Sequence, residues 1–161
     1  MIPEPASYTI GNIQAAAESW RAEGLTIVFT NGCFDLLHPG HVRYLNEAAG
    51  HGDVLVVGIN TDESVANLKG PGRPILTLEE RSEVLLALRS VCAVVPFADP
   101  TPLELIRRVR PHVLVKGGDW AVDKIVGREI VQADGGTVLS LPFHPGTSTT
   151  EILRRIRNSS S

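Results

Sequence analysis

Five short apolar runs, rich in β-branched residues, punctuate the chain: Leu25 to Thr30, Asp53 to Ile59, Val91 to Val95, His112 to Lys116 and Thr137 to Leu141. A run of this kind without a polar face reads as a strand covered on both sides of its sheet. Between the runs, apolar residues recur at helical spacing over Gly40 to Ala49, Leu78 to Leu88, Pro102 to Val109 and Val122 to Ala133. At the two ends, Ile10 to Glu23 reads as an amphipathic helix closed by Gly24, and Ser148 to Ile156 as a helix opened by a hydroxyl cap. Asn158 to Ser161 reads as a frayed tail.

Strands alternating with helices call for right-handed crossovers and a parallel sheet. The expected architecture is one Rossmann-like α/β domain over residues 1–161, its core running from about 25 to 157, with a five-stranded parallel sheet and helices on both faces. Ligands of such a sheet bind beyond the carboxyl ends of the strands, where the strand order reverses. The one loop long enough to move is Lys69 to Thr77, which carries Gly70, Pro71, Gly72 and Pro74.

Composition narrows the class. No apolar run approaches the roughly 20 residues of a membrane span, and no basic-then-apolar signal segment opens the chain. A cytoplasmic protein without a membrane partner is therefore expected. Cys33 and Cys92 are too few for a disulfide framework and lack CxxC spacing, so both read as reduced thiols. The net charge of −3 argues against nucleic-acid binding over a broad basic surface, but leaves room for local cations around an anionic substrate.

The chemistry concentrates after the first strand, in Asn31-Gly32-Cys33-Phe34-Asp35-Leu36-Leu37-His38-Pro39-Gly40-His41. Pro39 suits an early helical position, and the i, i+3 spacing places His38 and His41 on one face of a helix start. Free amides and the positive end of the helix dipole favour phosphate there. Two imidazoles add donors that follow charge as it develops on a phosphoryl group under attack. Taken alone, the pair reads equally as surface or capping histidines. No third ligand at a telling spacing makes it a metal site. Neither the GxGxxG of dinucleotide binders nor the GxxxxGK[ST] of P-loops occurs, which counts against hydride transfer and ordinary ATPase action.

Other segments carry two readings each. Lys69, in its Gly- and Pro-rich surroundings, is either a solvated lysine or an ammonium within reach of a phosphate. Arg81 belongs to a surface ion pair with Glu80 or Glu83, or to the site. Lys116-Gly117-Gly118-Asp119-Trp120 follows the fourth strand, where two glycines allow close approach to a base or ribose. Ser148, Thr149 and Thr150 offer hydroxyls and amides that also suffice for helix capping. Asp35, Asn60 and Asp62 fall at strand ends, and Asp62 also suits a helix cap.

The long string around the histidines resembles the signature of the HxGH nucleotidyltransferases, which include cytidylyltransferases, pantetheine-phosphate and nicotinamide-mononucleotide adenylyltransferases, and the catalytic domains of class I aminoacyl-tRNA synthetases. The likeness runs from about Thr30 to about Arg157. Within that superfamily the chain looks most like the heptose 1-phosphate adenylyltransferases, often the second half of a bifunctional kinase and adenylyltransferase. Supporting segments are Asn60-Thr61-Asp62, Leu68-Lys69-Gly70, Arg73-Pro74, Glu80-Arg81, Leu114 to Asp119 and Ser148-Thr149-Thr150. Phe143-His144-Pro145 departs from the Arg-Thr-Glu of the glycerol-phosphate cytidylyltransferases.

The resemblance implies His38, His41 and Lys69 as catalytic residues. It implies nucleotide contacts from Asn31, Gly32, Cys33, Phe34, Gly40, Arg81, Lys116, Gly117, Gly118, Asp119, Ser148, Thr149 and Thr150. Asp35, Asn60 and Asp62 would face the acceptor. The implied reaction moves AMP from ATP to D-glycero-D-manno-heptose 1-phosphate, giving ADP-heptose and pyrophosphate for a surface glycan. Mg²⁺ would enter with ATP, without protein metal ligands. A separate kinase would supply the acceptor, and relatives commonly form dimers. Competing readings are a cytidylyltransferase acting on glycerol 3-phosphate and a non-catalytic nucleotide-binding regulator.

Overall fold

The computed structural model describes residues 1–118, 120–142 and 144–159. The expected nucleoside contact of Asp119, the departure at Phe143 and the end of the expected tail, Ser160 and Ser161, lie outside the described residues.

In chain order the elements are β1 (Ala6–Ser7), α1 (Ile13–Ala22), β2 (Ile27–Gly32), α2 (Pro39–Ala49), β3 (Val54–Asn60), α3 (Asp62–Lys69), α4 (Leu78–Leu86), β4 (Ala93–Phe97), α5 (Leu103–Val109), β5 (Val113–Gly117), α6 (Arg128–Ala133), β6 (Thr137–Leu141) and α7 (Thr149–Ser159). The five predicted strands are β2 to β6, and every pairing is parallel. The sheet has six strands rather than five, in the order β1-β4-β3-β2-β5-β6. The added strand is only two residues long, pairing Ala6 with Ala93 and Ser7 with Val94, too short to leave a periodic signal.

Strand side chains alternate between two apolar layers, as the two-residue period of a strand requires. Ile27 and Phe29 of β2, with Val54 and Val56 of β3, join Ile13, Ala17 and Trp20 of α1 and Leu105, Ile106 and Val109 of α5. Val28, Leu55 and Val57 point the other way, onto Leu45 and Ala48 of α2 and Leu85 of α4. The core therefore begins at Ile13 rather than near residue 25, because α1 covers one face of the sheet. At the other end α7 continues through Asn158 and Ser159, which were expected to be frayed.

The predicted helix from Val122 to Ala133 is broken. A 3-10 turn, Val122–Lys124, precedes extended Ile125, and α6 starts only at Arg128. The break is enforced at Gly127, whose φ of 89° is left-handed and whose missing side chain admits Ile106. A Cβ there would lie 2.6 Å from Ile106 Cδ1.

Chain order reverses between β2 and β5. From β2 the sheet grows outward through β3 and β4, and the later strands β5 and β6 are laid on its other side. Free strand ends thus meet at the carboxyl edge of β2, just where the histidine segment leaves the sheet. Among the described residues no helix is long and apolar enough to cross a membrane.

Gly127→Ala should destabilise the protein by about 1–3 kcal/mol, since it combines a left-handed backbone with overpacking against a buried isoleucine. Chemical denaturation measures this, and an unchanged midpoint would contradict the account of the helix break.

Candidate active site

A cavity of about 1200 Å³ opens at the carboxyl ends of β2, β3 and β5. Asn31, Gly32, Cys33, Phe34, Asp35, His38, Gly40, His41, Asn60, Lys69, Lys116, Gly117, Ser148, Thr149 and Thr150 line it, as expected for a shared site. Arg81, Asp62 and Gly118 are not among its lining residues.

His38 is the N-cap of α2 and also lines the cavity, so capping does not remove it from the site. Its Nδ1 accepts from the Gly40 amide at 3.1 Å, while His41 Nδ1 accepts from the His38 amide at 3.4 Å. With both Nδ1 atoms accepting, each neutral ring carries its proton on Nε2. The rings lie 3.9 Å apart, centroid to centroid. Burial, reinforced by the neighbouring His38, pushes the His41 pKa down to about 4, and burial lowers that of His38 as well. The pair therefore presents neutral donors near pH 7. Gly40 is required by the tight turn: a Cβ there would lie 2.8 Å from His38 Cε1.

Asp35 was expected to accept acceptor hydroxyls, but its carboxylate is already occupied. It is 2% exposed and accepts from Arg73 Nε at 2.6 Å and from the amides of Ile75 and Leu76 at 2.9 Å. Burial alone would raise its pKa; the Leu76 and Ile75 amides and Arg73 hold it below the ordinary carboxylate value. Asp35 thus pins residues 73–76 over the histidine turn.

Arg81, expected at the nucleotide, is fully buried beneath the site. Its Nη1 donates to the carbonyls of Cys33 and Asn60, its Nε to that of Leu76, and its Nη2 to Asp62 Oδ1. Asp62 is held by this ion pair at 2.7 Å, and the cap of α3 is Thr61. Asn60 Nδ2 donates to Ser64 Oγ, while the Cys33 thiol lies 3.7 Å from Asn60 Oδ1. Arg81 and Asp62 thereby support the strand ends from outside the cavity, which Cys33 and Asn60 line.

Lysines also line the cavity. Lys69 ends α3, exposed at the cavity edge. Lys116 lies 5.8 Å from the Trp120 ring centroid, within cation–π reach, and burial lowers its pKa with Lys69 adding to the effect. Burial pushes the Cys33 thiol up, opposed by Lys69, Arg81 and Arg73. On the far wall Ser148 Oγ caps α7 by accepting from the Glu151 amide, and Thr149 Oγ1 donates to the Leu36 carbonyl. Among the described residues no group of three or more His, Cys, Asp or Glu side chains gathers as a metal site.

Sequence reasoning gave no role to Arg73, Tyr44, His144 or Arg155, all of which line the cavity. Tyr44 closes the gap between β2 and β5: its hydroxyl lies 2.6 Å from Thr30 Oγ1 and donates to the Val115 carbonyl at 3.4 Å. Burial pushes its pKa up to about 12. In the sequence Arg73 stands in a Gly- and Pro-rich loop and in the Arg73-Pro74 segment of the resemblance, neither of which gives it a role.

Because folding lowers both histidine pKa values below 6.5, the unfolded chain takes up those protons first. Their contribution to stability is complete above about pH 6.5 and should shrink as pH falls toward about 4. Denaturation at several pH values should show this decline, with a shallower slope in His41→Asn. Equal slopes in the two proteins would refute the buried, neutral His41.

The cytidylyltransferase-like family matches residues 29–155. Bifunctional protein HldE of Rhodopseudomonas palustris is 52% identical over 148 residues, covering 92% of this chain and 30% of that protein. The HldE of Pseudomonas entomophila is 53% identical, covering 96% of this chain and 33% of its own length. This chain thus spans about a third of these relatives. A lipopolysaccharide core biosynthesis protein from Thermoplasma volcanium superposes with a TM-score of 0.61 at 26% identity, over 77% of this chain and all of that one. Pantoate-beta-alanine ligase from Francisella tularensis shares the fold, with a TM-score of 0.64 at 14% identity, over 96% of this chain and 77% of its own. A chain matched over most of its length by one family, with the histidine pair at the switch point of its sheet, belongs to the cytidylyltransferase-like nucleotidyltransferases.

Proposed function

We propose that the chain is one nucleotidyltransferase domain that transfers AMP from ATP to D-glycero-D-manno-heptose 1-phosphate, giving ADP-heptose for a surface glycan. The observation that carries nucleotidyl transfer is the pairing of neutral His38 and His41, their Nδ1 atoms occupied, with Lys69 and Lys116 on one cavity. The half identity to HldE proteins, with the Lys116 to Gly118 and Ser148 to Thr150 segments, supports the heptose reading.

An oxygen of the acceptor phosphate attacks the α-phosphorus of ATP. One P–O bond forms as the bond from the α-phosphorus to the bridging oxygen breaks, and pyrophosphate departs. The nucleophile is already an anion, so positioning and charge stabilisation carry most of the rate. The Nε2–H groups of His38 and His41 donate to the phosphoryl oxygens as their charge grows. Lys69 neutralises phosphates from the α3 end, and the amides and hydroxyls of Ser148 to Thr150 hold the β- and γ-phosphates against the start of α2. Lys116 and Gly117 lie beside the nucleoside. The carboxylates of Asp35 and Asp62 are engaged by arginines, a donor set that fits magnesium held by the triphosphate and water. Bound there, magnesium supplies neutralisation of phosphate charge. We further propose a cytoplasmic location and a homodimer, with small molecules rather than nucleic acid or membrane as partners.

Turnover of four NTPs against heptose 1-phosphate and glycerol 3-phosphate tests the substrate pair. ATP with heptose 1-phosphate should release pyrophosphate fastest; a preference for CTP with glycerol 3-phosphate would overturn the substrate assignment. His38→Ala and His41→Ala should each lower kcat by about 10² or more with a smaller change in ATP binding. Lys69→Ala should impair turnover at unchanged thermal stability, since the side chain is exposed. A matching loss of melting temperature would mark it as structural.

A further inference from the structure

Arg73 is absent from the mechanism above, yet its surroundings are unusual for a loop arginine. Its side chain is 17% exposed and lines the cavity. One nitrogen, Nε, is fixed 2.6 Å from Asp35, itself clamped by two backbone amides. The two terminal nitrogens have no hydrogen-bonding partner among the described residues. A guanidinium oriented through one edge in this way offers its other donors, already aligned, to a ligand. The carboxylate holds the fork in place and lowers the cost of keeping a cation there.

The position selects which phosphate it meets. The Ser148 to Thr150 wall meets the turn before α2, where Thr149 bonds the Leu36 carbonyl, and the Thr147 carbonyl approaches Gly40 at the start of α2. Arg73 is tied toward β3, since Asp35 bonds Leu76 and Leu76 is joined through Arg81 to Asn60 at the end of that strand. The two walls thus hold different ends of one turn, Arg73 through Asp35 and the start of α2 through His38 and Gly40.

We infer that Arg73, oriented by Asp35, binds the phosphate of the acceptor rather than the triphosphate of ATP. The inference rests on the proposed nucleotidyl transfer to a phosphate ester. Asp35 acts through Arg73 and is a positioning residue. Arg73→Lys retains the charge but loses the fork, so it separates geometry from charge.

The test is steady-state kinetics of wild type, Arg73→Gln, Arg73→Lys and Asp35→Asn, with the phosphate ester that the wild type turns over best. Calorimetric titration of that ester without ATP runs in parallel. Arg73→Gln should raise the acceptor KM about tenfold or more and weaken acceptor binding equally, with ATP KM changed by less than about twofold. Arg73→Lys should recover only part of the loss. Asp35→Asn still accepts from Ile75 and Leu76, so it should remain folded and reproduce the acceptor defect. A rise in ATP KM with acceptor binding intact would overturn the inference and place the triphosphate under Arg73. So would a fall in melting temperature with both KM values unchanged, the signature of a purely structural tie. Wild-type selection of glycerol 3-phosphate would refute the heptose reading alone, because the same comparison with that ester still judges Arg73.

Discussion

The site depends on a guanidinium that has no exposed surface. Arg81 joins the Cys33 carbonyl in the catalytic turn, the Asn60 carbonyl at the end of β3, the Leu76 carbonyl in the overlying segment and the Asp62 carboxylate. Burying a charge is unfavourable unless each donor finds an acceptor, and here the acceptors come from three separate parts of the chain. Parallel strands end with carbonyls that have left the ladder, so one arginine placed beneath them satisfies their acceptors and sets their spacing together. Its own position follows from α4, which starts at a reciprocal cap between Thr77 and Glu80, one residue before Arg81.

Asp35 repeats this logic above the turn. Three donors from residues 73 to 76 converge on one buried carboxylate, so the segment is tied from below by Arg81 and from the side by Asp35. Charge in the cavity is thereby divided. The carboxylates of Asp35 and Glu151 that line it are paired with arginines, as is Asp62 beneath, the histidines are neutral donors, and Lys69 and Lys116 add positive charge. A net negative chain thus keeps a locally positive site, which formal charge does not reveal.

Much of this was legible along the chain. The five main strands are continuous apolar runs, and the histidine pair follows the first of them, so position relative to a strand end was enough to bring the pair to the cavity. Two-residue β1 and the broken helix at Gly127 were not legible. The first has no period to detect, and the second depends on Ile106, which is distant in sequence.

The same division runs through the site residues. Local spacing determined that His38 and His41 share a helix start and that Ser148 opens the last helix, because caps are set within one turn of backbone. Only the assembled sheet decided what Asp35, Asp62, Arg73 and Arg81 do. Most of their partners lie far along the chain, 19 residues in the pair Asp62 with Arg81 and 48 in the pair Cys33 with Arg81. A charged side chain at a strand end carries the same sequence signal whether it faces a ligand or another side chain. Burial separates the two, and burial is a property of the packed sheet and its covering loop rather than of any neighbourhood in the chain.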